Sequence, residues 1–464
     1  MTLIKSISGI RGTIGGAEGS GLTPADIVKF VSAYARFILQ QNPNNKSIVT
    51  GRDGRISGAM VSAIANATLQ GMGVNVIDCG LSTTPSVEMA VLDHKAAGGI
   101  IFTASHNPRQ WNALKLLNHK GEFLSADDGA EILRIAEAGE VEYASVDEIG
   151  TLKEDNDSIT RHIQHILDMD KVDVKSIRDA GFKIVCDCVN STGGLAVPAL
   201  LKALGVQEVK ELYCEVTGEF PHNPEPLPEH LIELSETVAS GDFHLGITVD
   251  PDVDRLALVC EDGSMFGEEL TLVAVADLYL SERVGDTVSN LSSSRALRDL
   301  TNGYGGKYHA SAVGEVNVVA KMKEVNALVG GEGNGGVIIP ELHFGRDALA
   351  GIALILTYLA KTKKKASEIR NGFPQYVIVK DKMDLPSNLD IKELLKSMES
   401  NFKAEQTTTI DGLKVDFENG WVHLRASNTE PIIRVYAEST DEQEARNLVA
   451  EVKGKAMEWI AKLA

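Results

Sequence analysis

Asp250, Asp252 and Asp254 stand at alternate positions directly after the apolar run from His244 to Val249, and Arg255 closes the set. Alternate residues of an extended chain point the same way, so these carboxylates can converge on one cation. Oxygen-only donors select magnesium, calcium or manganese over zinc. A guanidinium beside such an ion suits a phosphate or carboxylate on the ion's far side. The chemistry suggested is metal-assisted handling of phosphate. An EF-hand loop also opens D-x-D-x-D, and Glu261 falls at its twelfth position. Arg255 stands where that loop needs glycine, and Leu256 to Cys260 reads as a strand, so the EF-hand is rejected. A structural calcium loop of another type stays open.

Other stretches offer different chemistry. Thr103-Ala104-Ser105-His106-Asn107-Pro108 follows the β-rich run Gly99 to Phe102. A serine exposed at a strand exit can be a nucleophile or a phosphate carrier; the plainer reading is a turn or helix cap. Ser105 and His106 are adjacent, so their side chains diverge on an extended chain, and no G-x-S-x-G elbow surrounds them. Lys115 lies ten residues beyond Ser105, and is a catalytic cation or simply a solvated lysine. Gly331-Glu332-Gly333-Asn334-Gly335-Gly336 spells G-x-G-x-x-G, but β-branched residues and Pro340 follow where a dinucleotide site needs a helix. A tight turn showing Glu332 and Asn334 to sugar hydroxyls fits better, because carboxylate and amide accept and donate in fixed directions. Arg425-Ala426-Ser427-Asn428-Thr429-Glu430-Pro431, with Arg434 beyond, offers guanidinia, hydroxyls and loop amides that can hold a phosphate dianion, or else forms a polar inter-strand loop.

The elements that must position these groups alternate. β-rich runs at Ser47–Thr50, Lys183–Cys186 and His244–Val249 each end in a polar loop, and glycines punctuate the first two. Helical patterns lie at Pro24–Gln41, Gly58–Gly71, Leu195–Leu204 and Leu270–Arg283. Such alternation implies α/β layers with parallel or mixed sheets, whose ligands sit beyond the carboxyl ends of strands. The last stretch differs. Strand-like runs at Gln375–Lys380, Leu413–Phe417, Trp421–Arg425 and Ile432–Glu438 mix with helical patterns at Ile391–Phe402 and Glu442–Leu463. That predicts a small α+β domain. The expected domains are 1–150, 151–255, 256–371 and 372–464. With a candidate group in each, a cleft assembled from all four is the economical arrangement.

The totals agree with a soluble multidomain protein: 464 residues, 43% hydrophobic and 24% charged. No apolar stretch is long enough for a membrane span and the N-terminus carries no secretory pattern, so a cytoplasmic location is expected. A net charge of −20 argues against nucleic acid as a partner, because Lys361 to Lys365 is the one lysine-rich stretch that stands out and it falls at the end of an apolar helix-like run, where cations complement the helix dipole. The five cysteines, Cys79, Cys186, Cys188, Cys214 and Cys260, are odd in number and unlike a disulfide framework. They read as reduced thiols. Cys186-x-Cys188 without a histidine partner is a poor zinc pattern.

Taken together, the motifs resemble the α-D-phosphohexomutase family, whose four signature segments occur here in order. The phosphoserine loop is Thr103–Pro108, followed by Asn112 and Lys115; the metal loop is Asp250–Arg255. The sugar loop is Gly331–Gly336 and the phosphate loop Arg425–Pro431. Ser8-Gly9-Ile10-Arg11-Gly12 is similar to the family's opening motif, and Val313-Gly314-Glu315 to a further substrate-contact segment. The resemblance implies three similar mixed-sheet α/β domains and a C-terminal, TATA-binding-protein-like α+β domain around a central cleft. It implies a phosphorylated Ser105 and a magnesium ion held by Ser105, Asp250, Asp252 and Asp254. It implies transfer of phosphate between the 6- and 1-positions of a hexose through a hexose 1,6-bisphosphate. Arg11, Lys115 and Arg255 would support charge, with Lys115 or Arg11 assisting proton transfer. Glu332 and Asn334 would hold sugar hydroxyls, and Arg425, Ser427, Asn428, Thr429 and Arg434 the unreacting phosphate. Partners would be small sugar phosphates, and the chain a monomer or homodimer.

Departures from the family pattern bear on the sugar. Pro251, Ala113 and Asn428 stand where glycine is common, and Gly333-Asn334-Gly335-Gly336 replaces the bacterial Gln-Ser-Gly-His or Met-Ser-Gly-His. The sugar loop is more similar to archaeal-type phosphoglucosamine mutases and bifunctional relatives. Glucosamine phosphate is therefore the expected substrate, ahead of mannose or glucose phosphate. A metal-dependent sugar phosphatase and a non-catalytic sugar-phosphate sensor are the readings of other classes.

Overall fold

Hydrophobic residues in neighbouring pairs explain the first sheet. Ile48, Ile100 and Leu116 join one apolar cluster while Val49, Ile101 and Leu117 join another. Successive strand residues face opposite sides, so such pairs demand cover on both faces. The computed structural model describes residues 1–6, 9–386, 389–402, 405–426 and 432–462. The described chain divides into two units, residues 1–278 with 334–370, and residues 279–333 with 371–464.

In the first unit, strands β1 (Leu3–Ser6), β2 (Gly9–Thr13), β3 (Ser47–Arg52), β4 (Asn75–Leu81), β5 (Gly98–Phe102), β6 (Trp111–Leu117) and β7 (Leu152–Glu154) form a mixed sheet, ordered β1-β2-β6-β5-β3-β4-β7. β5, β3, β4 and β7 run parallel, whereas β6 returns antiparallel to β5. Helices Pro24–Gln41, Gly58–Gly71 and Ala126–Ala138 contribute to one cluster, and Thr84–Asp93 to the other. The first of these helices starts where the sequence says it should. Thr23 caps it, Asp26 returns the bond to the Thr23 N–H at 3.1 Å, and Pro24 needs no donor.

A second mixed sheet joins β8 (Lys183–Asp187), β9 (Glu208–Leu212), β10 (Leu245–Val249) and β11 (Leu256–Cys260) in the order β11-β10-β8-β9. β10 and β11 are an antiparallel hairpin, with Val249 opposite Leu256, and the aspartate run is its turn. In the second unit, β12 (Thr287–Asn290) lies between parallel β13 (Tyr308–Ser311) and β14 (Val329–Glu332). The first unit also holds β15 (Gly336–Ile338) and the buried helix Ala348–Thr362. A strand therefore follows the glycine-rich loop where a dinucleotide site would require a helix.

The C-terminal domain is antiparallel throughout. β16 (Val377–Asp384), β17 (Gln406–Thr408), β18 (Leu413–Phe417), β19 (Gly420–Ala426) and β20 (Ile432–Ser439) are ordered β16-β20-β19-β18-β17. Helices Ile391–Ser400 and Glu442–Ala461 share one core with this sheet through Leu394, Met398, Val449 and Val452. The expected fold class, several mixed α/β sheets followed by an antiparallel α+β domain, is what the chain adopts. No helix among the described residues is long and apolar enough to cross a membrane.

One buried network ties three helical segments of the first unit together. Asp347 caps the helix Ala348–Thr362, its Oδ1 accepting from the Leu349 and Ala350 N–H groups at 2.9 and 3.0 Å. Its Oδ2 meets His162 Nε2 at 2.8 Å and His343 Nε2 at 3.1 Å. His343 Nδ1 in turn faces Glu88 Oε2 at 3.3 Å. Burial opposes charge on His343, but Asp347 and Glu88 outweigh it and push its pKa up to about 10. A folded-state value above the ordinary one means that the proton on His343 stabilises the fold. That contribution is whole below about pH 6.5 and is lost as pH rises through the raised value. The unfolding midpoint should therefore fall across the alkaline range in the native chain, and His343→Gln should show a flatter pH profile. Equal slopes in the two proteins would remove this role.

Candidate active site and metal centre

Each site loop of the first unit leaves the carboxyl end of a strand. Residues 53–57 follow β3, 103–110 follow β5, 188–192 follow β8 and 250–255 follow β10. This is where open α/β sheets place ligands. The turn at 250–255 forces Val253 to φ +65° and the loop at 103–110 forces Ser105 to φ +49°, a region that non-glycine residues seldom adopt.

The structure brings five of the expected residues into one buried cluster. Asp250, Asp252 and Asp254 are fully buried, and one oxygen from each lies within 4.8 Å of the others. Ser105 Oγ donates to Asp250 Oδ2 at 2.6 Å. Asp250 Oδ1 accepts from the Asp254 and Arg255 N–H groups, each at 3.1 Å. Lys115 Nζ donates to Asp252 Oδ2 at 2.7 Å and Asp254 Oδ2 at 3.4 Å. Burial and the two neighbouring carboxylates push the Asp250 pKa well up. Burial works the same way on Asp252 and Asp254, but Lys115 outweighs it at the first and Arg346 at the second, and both stay below the usual carboxylate range. Burial works against the Lys115 cation, yet Asp252 and Asp254 raise its pKa.

These carboxylates fit a hard divalent cation. Asp252 Oδ1 and Asp254 Oδ1 are buried without a hydrogen-bond partner. Leaving charged acceptors dry and unpaired costs several kcal/mol, on the order of the desolvation penalty of an ion. An oxygen-seeking cation satisfies both at once.

Residues that sequence reasoning did not single out hold this cluster in place. Thr84 Oγ1 donates to Asp252 Oδ2 and Arg346 Nη2 to Asp254 Oδ2, each at 2.6 Å. The Pro251 carbonyl accepts from Ser191 Oγ at 2.6 Å and Thr192 Oγ1 at 2.9 Å, so the loop after β8 braces the loop after β10. Arg55 grips the serine loop: it donates to the carbonyls of Ser105, Asn107, Pro108 and Trp111, and its Nε to Asp53 Oδ2 at 2.9 Å. Asp53 Oδ2 also accepts from Thr103 Oγ1 at 2.7 Å. A signal for Arg55 did exist, because Asp53-Gly54-Arg55 lies in a loop already placed at a strand's carboxyl end. Thr84 and Arg346 carry none.

Arg11 Nη1 donates to Asn107 Oδ1 at 2.7 Å, and burial pulls its pKa down. Arg255 Nη1 stands 3.6 Å from Glu225 Oε1, and its buried Nε has no hydrogen-bond partner. His106 Nδ1 lies 3.3 Å from Ser105 Oγ. Burial, then Arg255 and Arg11, push the His106 pKa down to about 2, so its ring is neutral. Asn334 also belongs to this unit, its Oδ1 accepting from the Gly336 N–H at 3.2 Å. Gly335 between them has φ +81°, and a Cβ there would meet the Leu256 carbonyl oxygen at 2.1 Å, so only glycine fits.

Glu332, Arg425 and Arg434 belong to the second unit. Glu332 Oε1 accepts from Asn290 Nδ2 at 2.9 Å and the Gly314 N–H at 3.2 Å, which ties the segment Val313-Gly314-Glu315 to the end of β14. Arg425 Nε pairs with Asp411 Oδ2 at 2.8 Å, and Arg425 stands opposite the exposed Arg434 in the β19–β20 ladder. Ser427, Asn428, Thr429, Glu430 and Pro431 lie outside the described residues, as does Ser8 of the opening motif.

Comparison with known proteins bears on all four domains. Family models for phosphoglucomutase/phosphomannomutase match in order: alpha/beta/alpha domain I at residues 3–142, domain II at 160–263, domain III at 267–376 and the C-terminal domain at 376–455. The chain is 34% identical to a phosphoglucomutase/phosphomannomutase of Thermococcus kodakarensis, over 94% of this chain and 95% of that protein. It is 32% identical to a probable phosphoglucosamine mutase of Methanopyrus kandleri, over 95% of each. Among solved structures, a phosphoglucomutase/phosphomannomutase family protein from Burkholderia thailandensis superposes with a TM-score of 0.83 at 25% identity, covering 98% of each chain.

The Asp53–Arg55 pair is fully buried on both sides, so removing one partner strands the other. Arg55→Met should cost about 3–5 kcal/mol of stability in denaturant unfolding, the usual loss on breaking a buried pair. The Asp53→Asn/Arg55→Met double variant should lose less than the sum of the singles. Additive losses would show that the pair is not coupled.

Proposed function

The chain belongs to the phosphoglucomutase/phosphomannomutase family, and we propose that it is a phosphohexomutase working through Ser105, with glucosamine phosphate as its preferred substrate. The observation that carries the mechanism is the 2.6 Å contact of Ser105 Oγ with a buried aspartate triad in which Asp252 Oδ1 and Asp254 Oδ1 lack hydrogen-bond partners.

In this reading Ser105 carries a phosphoryl group. The bond from phosphorus to Ser105 Oγ breaks as one forms to the free hydroxyl oxygen of a hexose monophosphate. The hydroxyl proton leaves, assisted by Lys115 or Arg11, and the released Ser105 Oγ ends the step protonated. The resulting hexose 1,6-bisphosphate turns over and returns its other phosphoryl group to Ser105, which yields the isomeric monophosphate. Asp250, Asp252, Asp254 and Ser105 would hold magnesium. When bound, that ion offsets negative charge on the transferring group.

The remaining roles belong to fixed side chains. Lys115 and Arg346 keep Asp252 and Asp254 ionised and immobile, so the oxygens meant for a ligand are already aimed. Arg55 fixes the backbone on which Ser105 sits. Arg255 and Arg11 bring positive charge to His106, the neighbour of Ser105, where a phosphate group would need it. Glu332 and Asn334 would hold sugar hydroxyls, and Arg425, Ser427, Asn428, Thr429 and Arg434 the unreacting phosphate.

The choice of glucosamine rests on the Gly-Glu-Gly-Asn-Gly-Gly loop and on relatives named phosphoglucosamine mutase. A relative named phosphoglucomutase/phosphomannomutase supports the second reading, glucose or mannose phosphate.

Intact-mass measurement should find one adduct of about 80 Da, a phosphoryl group on serine, which Ser105→Ala lacks together with mutase activity. Full activity in Ser105→Ala would sink the mechanism, and steady release of inorganic phosphate would point to a phosphatase. The sugar is decided separately by comparing kcat/KM for the 1-phosphates of glucosamine, mannose and glucose, each with its 1,6-bisphosphate as activator. Glucosamine 1-phosphate should lead, and a clear preference for either neutral sugar would overturn that assignment.

A further inference from the structure

The mutase chemistry leaves one cluster of reactive side chains unused. Cys186 and Cys188 lie at the carboxyl end of β8, and Cys214 follows the end of the neighbouring strand β9. The strands are parallel, with Asp187 opposite Leu212, and the Cys188 N–H donates to the Leu212 carbonyl at 3.2 Å. The register therefore gathers three thiols that are 28 residues apart at the extremes. Cys186 Sγ and Cys214 Sγ are 3.9 Å apart, and all three sulfurs lie within 4.8 Å of one another. The pattern Cys186-x-Cys188 lacked a partner in the sequence; the fold supplies a third sulfur rather than a histidine.

The spacing is informative. Sulfurs bound at about 2.3 Å to one ion stand about 3.8 Å apart in a tetrahedral site and about 4.0 Å apart in a trigonal one. Cys186 and Cys214 thus stand at ligand separation already, with Cys188 Sγ within 4.8 Å of both. Cys186 and Cys188 are buried, whereas Cys214 is half-buried. Soft sulfur donors select thiophilic closed-shell ions and reject magnesium.

We propose that Cys186, Cys188 and Cys214 form a binding site for one thiophilic ion of the zinc class, separate from the aspartate centre. Each thiol that becomes a ligand releases its proton to the buffer, and the ion gains three thiolate donors with no change of oxidation state. With three protein ligands, zinc's fourth position can be completed by water. The site borders the loop that braces the aspartate turn. The Ser191 N–H donates to the Cys188 carbonyl at 3.0 Å, and Ser191 Oγ donates to the Pro251 carbonyl at 2.6 Å.

The test uses the full chain, reduced with a phosphine and kept in excess magnesium, with cadmium as the probe. Cadmium should produce a thiolate charge-transfer absorption that saturates at one equivalent and disappears when zinc is added in excess. Cys214→Ser, a change at a half-buried position, should weaken cadmium binding at least about tenfold while circular dichroism shows an unchanged fold. Cys260→Ser should bind as the native chain does. Absence of a saturable band in the native protein would overturn the proposal. So would an undiminished band in Cys214→Ser, which would place the ion elsewhere. Because the readout is spectroscopic, it stands or falls independently of mutase activity.

Discussion

Three carboxylates buried at one hairpin turn are the constraint on which the first unit depends. Asp250, Asp252 and Asp254 are out of contact with water, and like charges at this spacing repel strongly in a medium of low dielectric. The chain answers with cations drawn from distant parts of the sequence, Lys115 from β6 and Arg346 from the approach to the helix Ala348–Thr362. Ser105 adds a hydroxyl donor from the loop after β5, and Thr84 adds one from the start of the helix Thr84–Asp93. Removing a partner from such a cluster leaves an uncompensated charge, so each contact fixes position even where its net stabilisation is small. The same demand explains why residues 334–370 belong with the first unit: Arg346 is needed at Asp254, and Asp347 beside it anchors the Glu88–His343–His162 network.

Much of this architecture was legible from the sequence because its signals are local. The helices Pro24–Gln41 and Gly58–Gly71 and the strand Leu413–Phe417 begin and end where apolar periodicity and caps place them. Elsewhere ends shift by a few residues: the strand expected at Gln375–Lys380 runs from Val377 to Asp384, where pairing with β20 continues through polar residues. The aspartate triplet was legible for a similar reason. Its chemistry depends on spacing within a single turn.

What was not legible depends on long-range pairing. Thr84, Arg346 and Cys214 look like ordinary polar or small residues until the fold decides their neighbours. Cys214 is the clearest case, since nothing between residues 189 and 213 marks it as the partner of Cys186. Hydroxyl recognition is hard to read for a different reason. A carboxylate and an amide can serve many polar ligands, whereas three aspartates and a serine admit few chemistries. Glu332, moreover, is held by Asn290 and the Gly314 amide, contacts that lie 42 and 18 residues away in sequence.

The turn itself shows how the core sustains a site that local preference would disfavour. Val253 sits in the left-handed region at φ +65°, a conformation that costs a β-branched residue about 1–3 kcal/mol. Its side chain is completely buried, and burying a valine contributes about 1.5–3 kcal/mol, enough to offset that strain. Its backbone is also tied at both ends, the N–H to the Asp250 carbonyl at 3.0 Å and the carbonyl to the Ala348 N–H at 3.2 Å. A glycine would relieve the strain but forfeit the buried side chain and raise the entropy of the unfolded chain. Valine is thus the tighter solution. It lets the backbone reverse between Asp252 and Asp254, and the core around Val253 holds the reversal. Packing, rather than local propensity, aims the carboxylates.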